Sequence, residues 1–260
     1  MSAMLEVKGL SVEFGGLAAV NDVSFAANAG AVTSVIGPNG AGKTTLFNMI
    51  SGFQRPSHGH VRFAGHDVTG QQPWRIARRG LVRTFQKTEV FPELSVFDCV
   101  RIGLLNSYQP SLLEVLVGST KVTRFADGAS ATVQEILDLV GLTRRAAAMA
   151  RELSYGEQRL LEIAVGLAAR PKLIMLDEPA SGLNAEESKR LASLIRAMQA
   201  GGIAVLLVEH NMNLVMTVSD LVVVLHHGEK IAQGAPVAVS RDRSVVAAYL
   251  GREWGTDAVA

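Results

Sequence analysis

The feature that most constrains this chain is the run GPNGAGKTT at residues 37–45, which directly follows the apolar run AVTSVI. It fits the pattern G-x-x-x-x-G-K-[ST] between a predicted strand and a predicted helix, which is the context of a phosphate-binding loop. The glycines allow a tight turn whose N–H groups face an anion, and the next helix adds the positive end of its dipole. The run therefore predicts a nucleoside triphosphate site formed by Gly37, Pro38, Asn39, Gly40, Ala41, Gly42, Lys43, Thr44 and Thr45.

Two side chains of this loop carry specific chemistry. Lys43 supplies a point charge for the β- and γ-phosphates, and Thr44 offers a hydroxyl to Mg²⁺. The alternative is a glycine-rich turn with an exposed lysine. The strand before the loop and the helix after it favour the nucleotide site.

Composition narrows the classes of protein that the chain can belong to. The 25 basic and 24 acidic residues leave a net charge of +1 without a block of like charge, which argues against a nucleic-acid-binding face. No apolar run approaches the roughly twenty residues of a membrane-spanning helix, and the first ten residues lack the signal-peptide pattern. We expect any membrane role to come through a partner. The single cysteine, Cys99, lies in the apolar-rich segment FDCVRIG and is predicted to be a small buried residue.

Strand and helix signals divide the chain into regions. Up to about residue 86, short runs rich in Val and Phe alternate with turn residues, apart from the helix KTTLFNMISG, which is expected to end near Gly52. From about 87 to 152 the pattern is mostly helical, with Gly141 as a predicted helix end and a short helix in a surface connection at 107–130. From 153 to about 234, apolar strands alternate with helices, which indicates a parallel sheet buried on both faces.

The segment LIMLDEP, at residues 173–179, is a buried strand that ends in two acids. A carboxylate at the end of a parallel strand beside the phosphate loop is where Mg²⁺ needs an anionic partner, so Asp177 is assigned to the metal. Glu178 points elsewhere and could polarise a water aimed at the γ-phosphate. The alternative is a strand that ends in a polar turn closed by Pro179.

The segment LSYGEQ, at residues 153–158, fits the start of a helix. Ser154 is a good N-cap, and Gly156 suits a position where the backbone approaches another group closely. Ser154 and Glu157 also fit an ordinary capping box. The two interpretations are compatible, because a capped helix N-terminus can still present N–H groups to a phosphate.

The chain contains, in this order, the phosphate loop, LSYGEQ, LIMLDEP and the histidine of VEH. With this combination it resembles the ATP-binding cassette (ABC) ATPases, and the resemblance covers nearly the whole chain. The resemblance implies a single α/β domain: a P-loop NTPase (RecA-like) core with a mainly parallel sheet, an N-terminal antiparallel β subdomain and an inserted α-helical subdomain. The core is expected at residues 1–86 and 160–234, the helical subdomain at 87–159 and a helical tail at 235–260. Two cassettes of this family pack head to tail around two ATP molecules.

The resemblance also implies roles for individual residues. Phe14 corresponds to an aromatic residue that stacks on adenine, although a core phenylalanine is the open alternative. Gln86, in RTFQ, corresponds to the glutamine that touches Mg²⁺ and the attacking water, and His210 to the histidine that contacts the γ-phosphate. The implied catalytic residues are Gln86, Glu178 and His210, and the implied magnesium ligands are Thr44, Gln86 and Asp177. The signature segment, which faces the ATP of the opposite subunit, is Leu153, Ser154, Tyr155, Gly156 and Glu157. The loop that couples the two sites is Ser181, Gly182, Leu183 and Asn184.

Three positions depart from the commonest pattern: Tyr155 replaces glycine, Glu157 replaces glutamine and Asn184 replaces aspartate. Tyr155 and Asn184 instead resemble one subgroup, the ATPase subunits of importers for branched-chain and related hydrophobic amino acids. Three further segments are similar to that subgroup: FGGLAAVNDVSF, LVRTFQ and EHNMNLVMTVSD. Importers of urea, short amides or aromatic acids share much of the pattern. A cassette for lipid or lipopolysaccharide export, a cassette acting on nucleic acid or the ribosome, and a nucleotide-regulated binding module are further alternatives.

The subgroup implies ATP and Mg²⁺ as cofactors and a second ATPase subunit, more often a different chain than an identical one. It also implies transmembrane permease subunits, indirectly a solute-binding protein, no nucleic acid, and a peripheral position at the cytoplasmic face of the cell membrane. Val90, Phe91, Leu94 and Val96 are predicted to line an exposed groove that receives a helix of the permease.

Overall fold

The computed structural model describes residues 3–84, 91–105 and 120–250, with side chains described except at 120–127 and 250. Gln86 and Val90 lie outside these residues. In the described part of the chain, no helix is long and apolar enough to cross a membrane.

A six-stranded sheet forms the centre of the molecule, in the order β10-β9-β3-β8-β7-β6. Strands β6, β7, β8, β3 and β9 are parallel, and β10 pairs with β9 antiparallel at one edge. All residues of β3, β7 and β8 are buried, as their apolar sequences predict for strands covered on both faces. The strands are β3 Val32–Ile36, β6 Leu81–Arg83, β7 Leu173–Asp177, β8 Ala204–Val208, β9 Leu221–His226 and β10 Glu229–Gly234.

A second, antiparallel sheet has the order β2-β1-β4-β5. Its strands are β1 Ala3–Phe14, β2 Leu17–Asn28, β4 His58–Phe63 and β5 His66–Asp67. Apolar side chains of β1 and β2, such as Leu5 and Val23, are fully buried and form one core with Leu46 and Phe47 of the helix after the phosphate loop. Both sheets of the predicted fold class are therefore confirmed.

Helices cover the central sheet and fill the chain between its strands. They are α1 Lys43–Ile50, α2 Pro73–Arg78, α3 Val96–Leu104, α4 Thr120–Val140, α5 Tyr155–Ala168, α6 Ala185–Ala200, α7 Met212–Val218, α8 Pro236–Ser240 and α9 Arg243–Leu250. Glycines in the left-handed conformation follow α1 and α4, at Gly52 (φ 81°) and Gly141 (φ 74°). Both predicted helix ends are confirmed, because the left-handed region is where glycine stops a helix at least cost.

The neighbouring strands β6 and β7 are connected by a helical insertion that contains α3, α4 and α5. These three helices pack on one another around Cys99, Val133 and Leu161, all fully buried. Cys99 is therefore the buried residue that the sequence predicts, and burial raises the pKa of its thiol.

The prediction of a short helix at 107–130 is wrong for the residues of this range that the structure describes. Residues 120–130 belong to α4, one helix of 21 residues, and residues 107–119 lie outside the described part. Gly128 obscured the pattern, yet a Cβ there would meet nothing within 4 Å, so the glycine marks an uncrowded position of a continuous helix. The subdomain boundaries at residues 86, 160 and 234 stay predictions, and α5 runs unbroken across residues 159 and 160.

Candidate nucleotide-binding and catalytic site

The carboxyl ends of three central strands lie side by side. In the register of the sheet, Val208 pairs with Val35 on one side and with Asp177 on the other. The loops that follow β3, β7 and β8 consequently leave the sheet at the same edge, where parallel α/β folds place their ligands. The loop after β3 is the phosphate loop, the loop after β7 contains Glu178, and the loop after β8 contains His210.

The phosphate loop has the tight turn that its glycines predict. Gly37 and Gly42 have φ values of 153° and 96°, and a Cβ at these positions would lie 2.2 Å from the Leu225 carbonyl oxygen and 2.6 Å from that of Ala19. Gly40 has φ 80° with nothing within 4 Å of its Cβ position, so only its conformation requires glycine. The loop is thus packed against β9 and β2 on the protein side and open at Gly40.

Helix α1 begins with free backbone donors. It has no side-chain cap, and the first hydrogen bond into it runs from the Leu46 N–H to the Gly42 carbonyl oxygen at 2.9 Å. Among the described residues, the N–H groups of Thr44 and Thr45 have no protein acceptor. Thr44 is also exposed. Unpaired N–H groups at the positive end of a helix fit a phosphate.

The Lys43 side chain lies inside the loop that precedes it. Its Nζ donates to the carbonyl oxygens of Gly37 at 2.7 Å and Pro38 at 3.0 Å. Burial lowers the pKa of Lys43, and the negative charges of Glu178 and Asp177 oppose this shift. The ammonium is therefore held at the centre of the loop, within the field of both acids.

Glu178 and His210, which follow neighbouring strands, lie close together. The His210 Nδ1 lies 3.9 Å from the Glu178 Oε2. Glu178 has φ 47°, a left-handed conformation that costs a residue other than glycine about 1–3 kcal/mol and that clusters at functional sites. Its N–H nevertheless donates to the Val208 carbonyl oxygen at 2.9 Å, so the strained turn is anchored to β8.

A buried carboxylate that sequence reasoning missed holds these two loops together. Glu209 is fully buried; its Oε1 accepts from the Ala180 N–H at 2.7 Å, and its Oε2 accepts from the N–H groups of His210 and Asn211 at 3.0 Å each. The available signal was an acid at the end of the apolar strand IAVLLV, one residue before the histidine. Glu209 therefore links the turn after Glu178 to the segment that carries His210.

Asp177 has a partner that the sequence interpretation did not include. The Arg83 Nη2 donates to its Oδ2 at 2.8 Å, and the two side chains are only 7% and 5% exposed. The Arg83 Nη1 donates to Asn48 Oδ1 at 2.7 Å and Ser51 Oγ at 2.9 Å, both close to the end of α1. The signal was a charged residue within LVRTFQ, three positions before Gln86.

The signature segment starts α5 with a complete capping box. The Glu157 N–H donates to Ser154 Oγ at 3.3 Å, and the Ser154 N–H donates to Glu157 Oε2 at 2.8 Å. The Glu157 carboxylate also pairs with Arg145 at 3.2 Å. The predicted capping box is confirmed, and it turns Glu157 back onto its own helix.

The signature segment contacts the SGLN loop of the same chain. A Cβ at Gly156 would lie 2.4 Å from Glu187 Oε1, and one at Gly182 would lie 2.9 Å from the Tyr155 ring. The Tyr155 hydroxyl accepts from Arg159 Nη2 at 2.7 Å, which fixes the ring. Asn184 caps α6 by accepting from the N–H groups of the residues two and three positions further on. Tyr155 and Asn184, the two departures from the common pattern, thus both have structural partners.

Phe14 lies at the turn between β1 and β2 and is 51% exposed. This exposure excludes the core phenylalanine that the sequence left open. The stacking on adenine stays a prediction, as does the role of Gln86.

Of the residues predicted to line a groove, only Phe91 among the described ones lines a surface cavity. Val96 is fully buried in the helical core and Leu94 packs against that core, so the prediction for Val96 is wrong. Val96 is the first residue of α3, and at this position its side chain points into the helical core. The apolar pattern of the four predicted groove residues does not specify that direction. Phe91, 51% exposed, instead lines an apolar cavity of about 500 Å³. Other residues of this cavity, here called the groove, include Phe53, Trp74, Ile102, Val165 and Arg83.

Together, a parallel sheet with a phosphate loop and two acids at one edge, and a capped signature helix packed on a coupling loop, define an ATP-hydrolysing cassette. Residues 20–181 match the family described as ABC transporter. The chain belongs to this family.

Relatives match the chain over nearly its whole length. The high-affinity branched-chain amino acid transport ATP-binding protein BraF of Pseudomonas aeruginosa is 41% identical over 95% of this chain and 98% of its own. LivG of Escherichia coli K12, described in the same words, is 38% identical with the same coverage. A crystal structure of the ADP conformation of an ATP-binding cassette of an ABC transporter has a TM-score of 0.84 and 31% identity, and it covers 96% of this chain and 100% of that one.

Proposed function

We propose that this chain is the ATP-binding and ATP-hydrolysing subunit of an importer for branched-chain or related hydrophobic amino acids. The observation that carries the proposal is the edge where Lys43, Asp177, Glu178 and His210 lie around one loop, in a chain that is 41% identical to BraF over 95% of this chain. The relatives' printed names supply the solute class. Tyr155 and Asn184, which resemble the same subgroup, agree with it.

ATP binds through the phosphate loop, with its phosphates at the free N–H groups of Thr44 and Thr45 and at the Lys43 ammonium. Thr44, Gln86 and Asp177 would hold Mg²⁺, which supplies charge compensation to the phosphates. Among the described residues, no group of three or more His, Cys, Asp or Glu side chains could hold a metal ion. Mg²⁺ in nucleotide sites binds the phosphates and only one or two protein groups, together with water. Glu178 polarises the attacking water, and His210 contacts the γ-phosphate.

The signature segment completes the site of a second ATPase subunit. Ser154 and Tyr155 are exposed at the N-terminus of α5, and Gly182 and Asn184 are exposed beside them. ATP bridges the two subunits because its phosphates accept hydrogen bonds from both. Loss of the γ-phosphate removes that bridge and opens the dimer. The partner subunit is a different chain in this proposal, as is common in the subgroup.

The groove is the docking surface for a cytoplasmic helix of the permease. Its exposed aromatic residues, Phe53, Trp74 and Phe91, offer apolar anchors of the kind that receive an amphipathic helix. Docking there holds the chain at the cytoplasmic face of the membrane, with a solute-binding protein recruited through the permease and no nucleic acid involved. Helices α3 and α5 form one wall of the groove, through residues such as Ile102 and Val165.

The test is capture of the assembled transporter. Tagged chain purified from gently solubilised membranes should bring down permease subunits and a second ATPase, and the cognate binding protein should bind leucine, isoleucine or valine. Phe91→Asp should abolish permease capture while ATP binding persists. Lys189→Asp, an exposed change on α6, is the matched control. Capture that survives Phe91→Asp would exclude the groove, and a binding protein specific for another solute would exclude the substrate class.

A further inference from the structure

We propose that Arg83 is a positioning residue for the magnesium site: it fixes Asp177 by occupying one carboxylate oxygen and leaves the other to the hydrated metal. The inference rests on the proposed function, because it assumes that Asp177 serves Mg²⁺. The contact between Arg83 and Asp177 joins two separate segments of the chain, so no single sequence motif contains it.

Both terminal nitrogens of the Arg83 guanidinium are hydrogen-bonded, and these contacts determine the orientation of the group. Nη2 donates to Asp177 Oδ2 at 2.8 Å, while Nη1 donates to Asn48 Oδ1 at 2.7 Å and Ser51 Oγ at 2.9 Å. The Phe47 ring lies 5.7 Å from the guanidinium carbon. Because the guanidinium is planar and rigid, these partners fix its plane and therefore the oxygen of Asp177 that it binds.

Burial makes this contact decisive for the conformation of Asp177. With side-chain exposures of 7% and 5%, neither charge can exchange its partner for bulk water. An isolated buried carboxylate is strongly disfavoured, whereas a paired one is held in a single arrangement. Asp177 is thus oriented before nucleotide arrives, and such preorganisation suits Mg²⁺, which demands near-ideal octahedral geometry and keeps several of its waters.

The position of Arg83 connects the elements that carry two of the proposed metal ligands, Thr44 and Asp177. Asn48 lies on α1, the helix that begins with Lys43 and Thr44, and Ser51 follows its last residue. Arg83 is the last residue of β6, which leads to Gln86 three residues later, and it pairs in register with Met175 on β7. One side chain therefore ties α1, β6 and β7 to a common frame.

The contact also lies beside the proposed permease surface. Arg83 is one of the residues that line the groove, and its guanidinium carbon is 5.8 Å from the ring of Phe53, which lines it too. The same side chain therefore reaches from the floor of the groove to Asp177. A second-layer contact of this kind commonly changes metal affinity 10- to 100-fold when it is removed.

The experiment measures nucleotide binding without relying on turnover. A fluorescent ATP analogue is titrated into the full-length chain, first in EDTA and then at a fixed concentration with increasing Mg²⁺. For Arg83→Met, we expect the affinity for the ATP analogue in EDTA to stay within about twofold of the wild-type value. The Mg²⁺ concentration that gives half of the maximal increase in analogue binding, here called the Mg²⁺ midpoint, should rise on the order of tenfold. Arg159→Met is the matched control, because it removes another buried arginine, paired with Glu162 at 3.0 Å, within α5.

Arg83→Lys separates positioning from simple charge pairing. The Arg83→Lys variant keeps the positive charge but lacks the planar fork, so it should fold while its Mg²⁺ midpoint still rises. If Arg83→Met does not fold, this variant decides the question. An unchanged or lower midpoint in the folded Arg83 variants, or an equal rise in Arg159→Met, would overturn the inference. A wild-type chain that binds no nucleotide, or does not respond to Mg²⁺, would instead overturn the proposed function.

Discussion

The two functional edges of this chain are built in opposite ways. At the edge of the phosphate loop, Lys43, Asp177 and Glu209 are buried and meet partners from the same chain. At the signature edge, Ser154, Tyr155 and Gly182 are exposed, and their internal contacts only shape a surface. The first edge is held in shape by contacts within one subunit, whereas the second is proposed to bind ATP only across a pair of subunits. Changes at the two edges should therefore fail in different ways.

The largest effect is expected at the internal edge. Lys43→Ala removes the cation that faces the phosphates, and charge-assisted hydrogen bonds of this kind are worth up to about 3 kcal/mol, or roughly a hundredfold in affinity. Isothermal titration of the isolated chain with ATP should show this loss. Lys189→Ala, an exposed lysine on α6, should bind ATP as the wild type does. Equal affinity for both variants would remove Lys43 from the phosphate site.

Ser154→Arg tests the opposite edge. Its long cation lies on the surface proposed to face the partner's ATP, so hydrolysis by the assembled transporter should fall on the order of a hundredfold while the isolated subunit still binds ATP. Loss of the N-cap alone costs about 1 kcal/mol.

Ser95→Arg is the matched control for Ser154→Arg, because Ser95 caps α3 through the same type of hydrogen bond, here at 3.0 Å. We expect this variant to share the loss of stability but to retain hydrolysis. If Ser154→Arg weakened ATP binding by the single subunit, the division between the two edges would fail.

A smaller, purely structural effect is expected at Glu209. Glu209→Ala leaves the N–H groups of Ala180, His210 and Asn211 without their acceptor, the first of them buried, which should lower the free energy of unfolding by about 3 kcal/mol. Urea denaturation followed by circular dichroism measures this loss. Glu209→Gln retains an acceptor oxygen and the side-chain volume, and should lose less. A change below about 1 kcal/mol in Glu209→Ala would show that this carboxylate does not hold the two loops together.

Local sequence patterns predicted the parts of the site that local chain geometry determines. The phosphate loop, the capping box at Ser154 and the helix ends at Gly52 and Gly141 each depend on residues only a few positions apart. The apolar strands of the central sheet were equally readable, because burial on both faces requires continuous apolar runs.

The contacts that sequence reasoning missed join residues distant in the chain. Arg83 and Asp177 are separated by 94 positions, and Ala180 and Glu209 by 29, so only the folded sheet brings them together. The burial of Val96 was missed for a related reason: which side of a short apolar helix turns inward depends on what packs against it. Family resemblance named the motif residues but not the side chains that hold them in place.

The central claim is that ATP joins two cassettes, and a variant that binds ATP without hydrolysing it tests this most directly. Glu178→Gln should be mixed with ATP and Mg²⁺, beside its partner ATPase and permease where these are needed, and its mass measured by light scattering after chromatography. The account predicts an ATP-dependent pair of cassettes that is lost when Ser154→Arg is added to this chain. Single, unpaired cassettes at saturating nucleotide, even with the cognate permease present, would contradict it.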